Sequence, residues 1–288
     1  MSHTHQKTLA IILVLSVSLL AEAFFSGTWF HPHRLAVWVF DVGQGDAIFI
    51  DSPTKQILID GGPNDAILEK LASVLPPWDR SLDVILATHP HADHVLGLDA
   101  VLENYQVAEV VDDGLRYNSA AALAFDQLDH NQAVVASRGM SWDLGEVDGT
   151  QATLKVIWPA QSLSGEFTDD ANDGSIVALL TYGNTTMLLT GDSGVAQEDL
   201  YDLDLPHIDV LKVGHHGSDT SSGPNLLSKI TPTFALISVG VDNSYGHPSK
   251  VVLDRLHQAG AQVFRTDTDG DLRVLSDGGE PTVTNFPR

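Results

Sequence analysis

Short apolar runs separated by turn residues make up most of the chain. Leu35 to Asp41, Asp46 to Asp51 and Gln56 to Asp60 are β-rich, with Val42-Gly43-Gln44-Gly45 and Ser52-Pro53-Thr54 as the turns, which predicts an antiparallel start. Asp65 to Leu75 has helical spacing and stops at Pro76-Pro77. Asp83 to Ala87 reads as a short buried strand running into Thr88-His89-Pro90-His91-Ala92-Asp93-His94. His94 to Asn104 then predicts a helix, Val107 to Val111 a strand and Asn118 to His130 another helix. In the second half the strands are Thr153 to Trp158, Ser175 to Tyr182, Thr185 to Thr190, Ile208 to Val213, Thr233 to Val239, Gln262 to Arg265 and Asp271 to Ser276, with a helix over Ser249 to Ala259. One α/β domain of two sheets flanked by helices accounts for the series.

The first residues depart from this pattern. Lys7 is the only firm positive charge before an apolar run, Leu9 to Leu20, interrupted by Ser16 and Ser18, and Ala21-Glu22-Ala23 is a small-x-small cleavage pattern. Residues 1–34 therefore read as a signal peptide plus a short linker. The alternative is an uncleaved anchor touching the membrane through Phe24, Phe25, Trp29 and Phe30. Either way the domain at 35–288 is expected outside the cytoplasm, periplasmic, secreted or membrane-anchored.

Composition narrows the chemistry. The 288 residues hold 15 Lys and Arg against 38 Asp and Glu, a net charge of −23, which excludes a basic surface that grips nucleic acid by phosphate neutralisation. Cysteine is absent, which removes disulfides, thiolate metal sites and cysteine nucleophiles together. Histidine, carboxylate and hydroxyl groups remain.

Those groups gather at predicted strand ends. His89, His91, Asp93 and His94 put four ligand-type side chains in one short segment after an apolar strand, where a loop can turn them toward one point. Asp192 closes another strand in Leu188-Leu189-Thr190-Gly191-Asp192, and His215-His216 closes a third. A pair of divalent ions needs a carboxylate that can bridge them, and Asp192 suits that role. Adjacent strand residues face opposite ways, so one of His215 and His216 is expected to reach the site, His215 first. His247 stands in the turn Tyr245-Gly246-His247-Pro248 before a helix, placed to stabilise a transition state or act as general acid. Asp93 and His247 are the candidate catalytic side chains, and Lys212, Ser218 and Lys250 are candidate phosphate contacts.

These motifs resemble those of the metallo-β-lactamase superfamily, whose fold is a four-layered αβ/βα sandwich of mixed sheets. More narrowly, Phe40-Asp41-Val42-Gly43-Gln44-Gly45-Asp46-Ala47, Asn172-Asp173-Gly174-Ser175, Lys212 to Ser218 and Tyr245 to Pro248 resemble the extracytoplasmic hydrolase domain of ComEC-type competence proteins, which take up DNA. The resemblance implies a metal-dependent phosphodiesterase or nuclease with two divalent ions, Zn²⁺ or Mn²⁺. It implies His89 and His91 on the first ion, Asp93 and His94 on the second, Asp192 between them, and Asp60 as the acceptor that fixes a ligand histidine's tautomer. Where most of the superfamily supplies a third-motif histidine, this chain has Asn172-Asp173, so an oxygen ligand from Asp173 is expected. Gln44 and Asp46 would line the pocket by analogy.

The expected substrate is DNA or a small phosphodiester. One alternative is a hydrolase of a small phosphodiester or cell-wall ester with the same metals. Another is a non-catalytic binding module in an envelope complex. Import by this polypeptide would need a separate membrane channel or envelope partner.

Overall fold

A computed structural model describes residues 35–128, 133–147, 149–201 and 205–287. The expected leader or anchor lies outside the described residues. No helix among the described residues is long and apolar enough to cross a membrane.

Two mixed sheets face each other. The first runs β1 (Leu35–Val39), β2 (Ile48–Asp51), β3 (Gln56–Ile59), β4 (Ser81–Leu86), β5 (Gln106–Asp112) and β6 (Val134–Val135) side by side. The second begins with β7 (Ser141–Val147), β8 (Thr150–Trp158), β9 (Val177–Tyr182) and β10 (Thr185–Leu189), and continues with β11 (Val210–Lys212), β12 (Phe234–Ile237) and β13 (Gln262–Arg265). The chain then returns to the first sheet, where β14 (Asp271–Ser276) pairs with β1 and β15 (Thr282–Phe286) forms the edge. Strands β3 to β6 are parallel, as are β10 to β13.

The period-2 alternation of each strand builds the layers. Ile48 and Ile50 of β2 join Leu154, Leu180 and Val210 between the sheets, while Phe49 turns outward against Ile67, Leu71, Val95 and Leu98. Those outer residues come from helices Ala66–Val74 and Ala92–Asn104. On the far face Leu211 and Ile237 pack on Leu226, Val252 and Leu256, from helices Pro224–Ile230 and Lys250–Gln258. Helix, sheet, sheet and helix form the expected four-layered sandwich.

The elements missed by the pattern carry little periodic signal. Strand β7 is interrupted by a register shift at Gly145, and edge strand β15 is mostly exposed. Helix Ala92–Asn104 begins earlier than expected, with His91 at its N-cap, so Asp93 and His94 sit in its first turn and not in a loop.

Parallel strands give the fold one functional end, beyond their carboxyl termini. Asp60 follows β3, Thr88 and His89 follow β4, Asp192 follows β10, His215 and His216 follow β11, and Ser238 follows β12.

Candidate metal centre

Asp192 is the hub. Its Oδ2 lies 3.3 Å from His94 Nε2, 3.5 Å from His216 Nε2, and 3.8 Å from both His89 Nε2 and His215 Nε2. Its backbone N–H donates to Ser175 Oγ at 2.9 Å, which aims the carboxylate. Gly191 makes the turn: it has φ +50°, and a Cβ there would collide with the Ser175 hydroxyl.

Each buried imidazole is held by its Nδ1. His94 Nδ1 is 2.8 Å from Asp60 Oδ2, and His216 Nδ1 is 2.9 Å from the Ser238 carbonyl. His89 Nδ1 lies 3.0 Å from Thr88 Oγ1, whose hydroxyl donates to Asp60 Oδ2 at 2.7 Å. Acceptors at Nδ1 put the proton there and leave the Nε2 lone pairs facing Asp192, the arrangement that metal-ligating histidines need. His89 Nε2 also approaches His91 Nδ1 to 3.0 Å, a spacing that two ligands of one ion satisfy.

The donor set fits divalent cations. His94 Nε2, His216 Nε2 and Asp192 Oδ1 are buried without hydrogen-bond partners, a costly state that bound cations would relieve. Among the described residues, His89, His94 and Asp192 bring ligand atoms within 4.8 Å of one another, as do Asp93, His94 and His216, and Asp46, Asp192 and His216. Nitrogen and carboxylate donors without sulfur suit zinc or manganese alike.

The electrostatics agree. Burial disfavours the His216 cation, but Asp192 and Asp46 outweigh it and the group is pushed up to about 10. Against the same burial penalty, Asp192 and Asp60 raise His94 well above the usual imidazole range. Burial works against the charged form of Asp192 too, yet His216 and His94 hold it well below the carboxylate range. His89 is driven the other way, by burial and by neighbouring His94.

Several expected residues fall elsewhere. Asp173 is exposed, accepts from Gln197 Nε2 at 2.8 Å and joins no ligand group; the turn Ala171–Gly174 points Ser175 inward instead. Lys212 is fully buried, donating to Asp46 Oδ2 at 2.7 Å and to the Val213 carbonyl at 3.0 Å, so neither Lys212 nor Asp46 faces substrate. Asp46 instead places its Oδ1 3.4 Å from His216 Nδ1. Gly45 permits this: a Cβ there would strike the Asp93 carbonyl, which accepts from Asp46 N at 3.2 Å. Ser218 is buried against Thr220 Oγ1 at 2.9 Å, and Lys250 is exposed and paired with Asp254. His215 and His216 do not alternate, because both adopt left-handed backbone, φ 48° and 53°, in a turn; both reach Asp192, and His216 enters the ligand groups.

Beside the centre opens a cavity of about 370 Å³ lined by Gln44, His91, Asp93, His215 and His247 among others. Asn243 fixes the His247 turn by accepting from its backbone N–H at 3.0 Å and donating to its carbonyl at 2.7 Å. Tyr117 and Tyr245 also line the cavity. Tyr117, like Ser238, carries no signal in the sequence, because the tertiary fold alone brings it here, whereas Tyr245, Ser175 and Thr88 stand inside the motif segments with no role of their own read from them.

The family model of the metallo-beta-lactamase superfamily matches residues 40–241. The chain is 30% identical over 269 residues to Recombination protein 2 of Haemophilus influenzae, covering 92% of this chain and 31% of that protein. It is 29% identical over 271 residues to ComE operon protein 3 of Bacillus subtilis, covering 86% of this chain and 34% of that protein. The chain thus spans about a third of the length of these curated relatives. Among solved structures, the metallo-beta-lactamase fold protein YhfI from Bacillus subtilis superposes with a TM-score of 0.50 at 13% identity, covering 83% of this chain and 99% of that one, a likeness of fold.

Proposed function

The chain belongs to the metallo-β-lactamase superfamily, of metal-dependent hydrolases, and from that premise we propose that it hydrolyses phosphodiester bonds of nucleic acid outside the cytoplasm. The observation that carries the reading is Asp192 Oδ2 ringed by four imidazole nitrogens at the edge of an open cavity. His89, His91, Asp93, His94, Asp192 and His216 would hold two divalent ions, with His215 at the rim. Bound there, such ions supply Lewis acidity, neutralising phosphate charge and acidifying water.

The remaining work belongs to the protein's own groups. Asp60 and the Ser238 carbonyl hold the ligand imidazoles in one tautomer and orientation. Asp46, held by Lys212, sets a negative charge behind His216. His247 is half-buried, and burial together with His215 lowers its pKa, so at neutral pH it is a neutral hydrogen-bond donor. That state suits stabilising the departing oxygen better than protonating it. In the reaction the water oxygen joins phosphorus, the bond to the leaving oxygen breaks, and the leaving oxygen takes up a proton.

Nucleic acid as substrate draws support from the names of the relatives, Recombination protein 2 and ComE operon protein 3. A second reading, a small phosphodiester, is favoured by the net charge of −23 and by a cavity lining that includes no Lys or Arg. Purified protein with Mn²⁺ is expected to cleave single-stranded DNA at low salt as well as bis-p-nitrophenyl phosphate. Cleavage of the small ester with DNA left intact selects the second reading. The apolar leader motivates the extracytoplasmic assignment, which a full-length fusion to alkaline phosphatase tests: an inactive reporter rejects it.

A further inference from the structure

Resting on the nucleic-acid reading above, we infer that Tyr117 and Tyr245 form a base-stacking subsite, so that the protein engages an unpaired nucleotide of a single strand in preference to duplex. The two tyrosines stand at the ends of one run of contacts that crosses the centre. Tyr117 meets His91 edge-on at 5.2 Å, and His91 packs against His89 at 4.7 Å. His89 and His215 each lie 3.8 Å from Asp192. His215 then meets His247 at 5.9 Å, and Tyr245 stacks on His247 at 5.8 Å with 13° between the rings. The tyrosines therefore flank the ligand cluster from separate loops, one after β5 and one after β12.

Packing does not fully explain them: Tyr245 is 69% exposed, and Tyr117 is half-buried, and both line the cavity. An aromatic rim left in solvent around a reactive centre is a recognition surface by default. The cavity lining has no Lys or Arg, so nothing in it tracks a phosphate chain; what it offers a strand is ring faces. Its volume of about 370 Å³ suits one small ligand unit. Only an unpaired base has faces free to stack.

The test uses the full chain with Mn²⁺ and two probes of equal length and charge, a single-stranded oligothymidylate and its abasic analogue. Wild type is expected to cleave the thymidylate with kcat/KM about tenfold above the abasic strand, a ratio of the size base–aromatic stacking gives. Tyr117→Ala and Tyr245→Ala should bring that ratio close to one, mainly through KM, while the Phe variants keep it. Trp78→Ala, an exposed aromatic outside the cavity, should leave it unchanged. As a second readout, emission of a 2-aminopurine strand should be quenched by wild type and restored in Tyr245→Ala. Equal wild-type rates on both probes, or Ala variants that keep the preference, overturn the stacking subsite and leave the nuclease reading standing. Cleavage of neither probe removes both.

Discussion

Single atoms decide much of the centre. Asp60 accepts from Thr88 N, Thr88 Oγ1 and His94 Nδ1 at once, within 2.8 Å, so its charge serves two ligand histidines. Asp60→Asn keeps the shape but loses the anion behind His94, and is expected to weaken metal affinity about 10- to 100-fold. Competition with a chromogenic chelator measures this, and unchanged affinity would show that the carboxylate is dispensable. Lys212 is the converse case, a fully buried cation whose removal leaves Asp46 uncompensated beside His216. Lys212→Met should cost about 3–5 kcal/mol in urea unfolding, whereas the double change with Asp46→Leu should recover much of that loss.

At the scale of elements, turns and helix ends hold the site loops. Glu198, in helix Val195–Tyr201, accepts from the Ser222 and Gly223 backbone N–H groups at 2.6 and 2.7 Å, capping helix Pro224–Ile230 across a helix boundary. Burial dominates over those bonds and raises its pKa from 4.5 to about 7. Below pH 4.5 both folded and unfolded chains are protonated there and the group is neutral in the balance. Between pH 4.5 and 7 the unfolded chain gives up the proton that the folded chain keeps, so stability falls as pH rises, by about 3 kcal/mol in all. Unfolding midpoints compared across this window should show that Glu198→Gln removes that part of the slope. An identical slope in the variant would assign it to other groups. Ser249 accepts from Val252 N at the start of helix Lys250–Gln258, directly after the His247 turn. Ser249→Ala should cost about 1 kcal/mol.

Across the whole molecule, charge and metal act together. A protein at net −23 that holds phosphate by ions in one cavity should show a shallow dependence of KM for DNA on salt, because few condensed counterions are released. A steep fall in affinity between 50 and 200 mM salt, the signature of many basic contacts, would place DNA on another surface. Buried carboxylates and imidazoles tie loops of both sheets to one centre, so metal binding should stabilise the whole fold. Excess Mn²⁺ or Zn²⁺ at about 100 times Kd is expected to add about 2.7 kcal/mol, lost again with chelator, as followed by thermal melting.

Much of this was legible in the linear pattern, because strand alternation and ligand chemistry are local properties. The apolar runs marked β1 to β5 and β8 to β14, and the dense His89–His94 segment, Asp192 and the His215-His216 pair lie at the carboxyl ends of strands, where loops must turn. Long-range geometry was not encoded locally. Lys212 reads as a phosphate contact until its side chain is seen buried against Asp46, and Asp173 as a ligand until the turn before β9 points Ser175 inward. Left-handed backbone at His215 and His216 broke the alternation rule that would have chosen between them. Tyr117 and Tyr245, 128 positions apart, share a rim because two sheets pack face to face. Chain chemistry names the candidate groups, and the direction each side chain takes is set by the packing of layers around it.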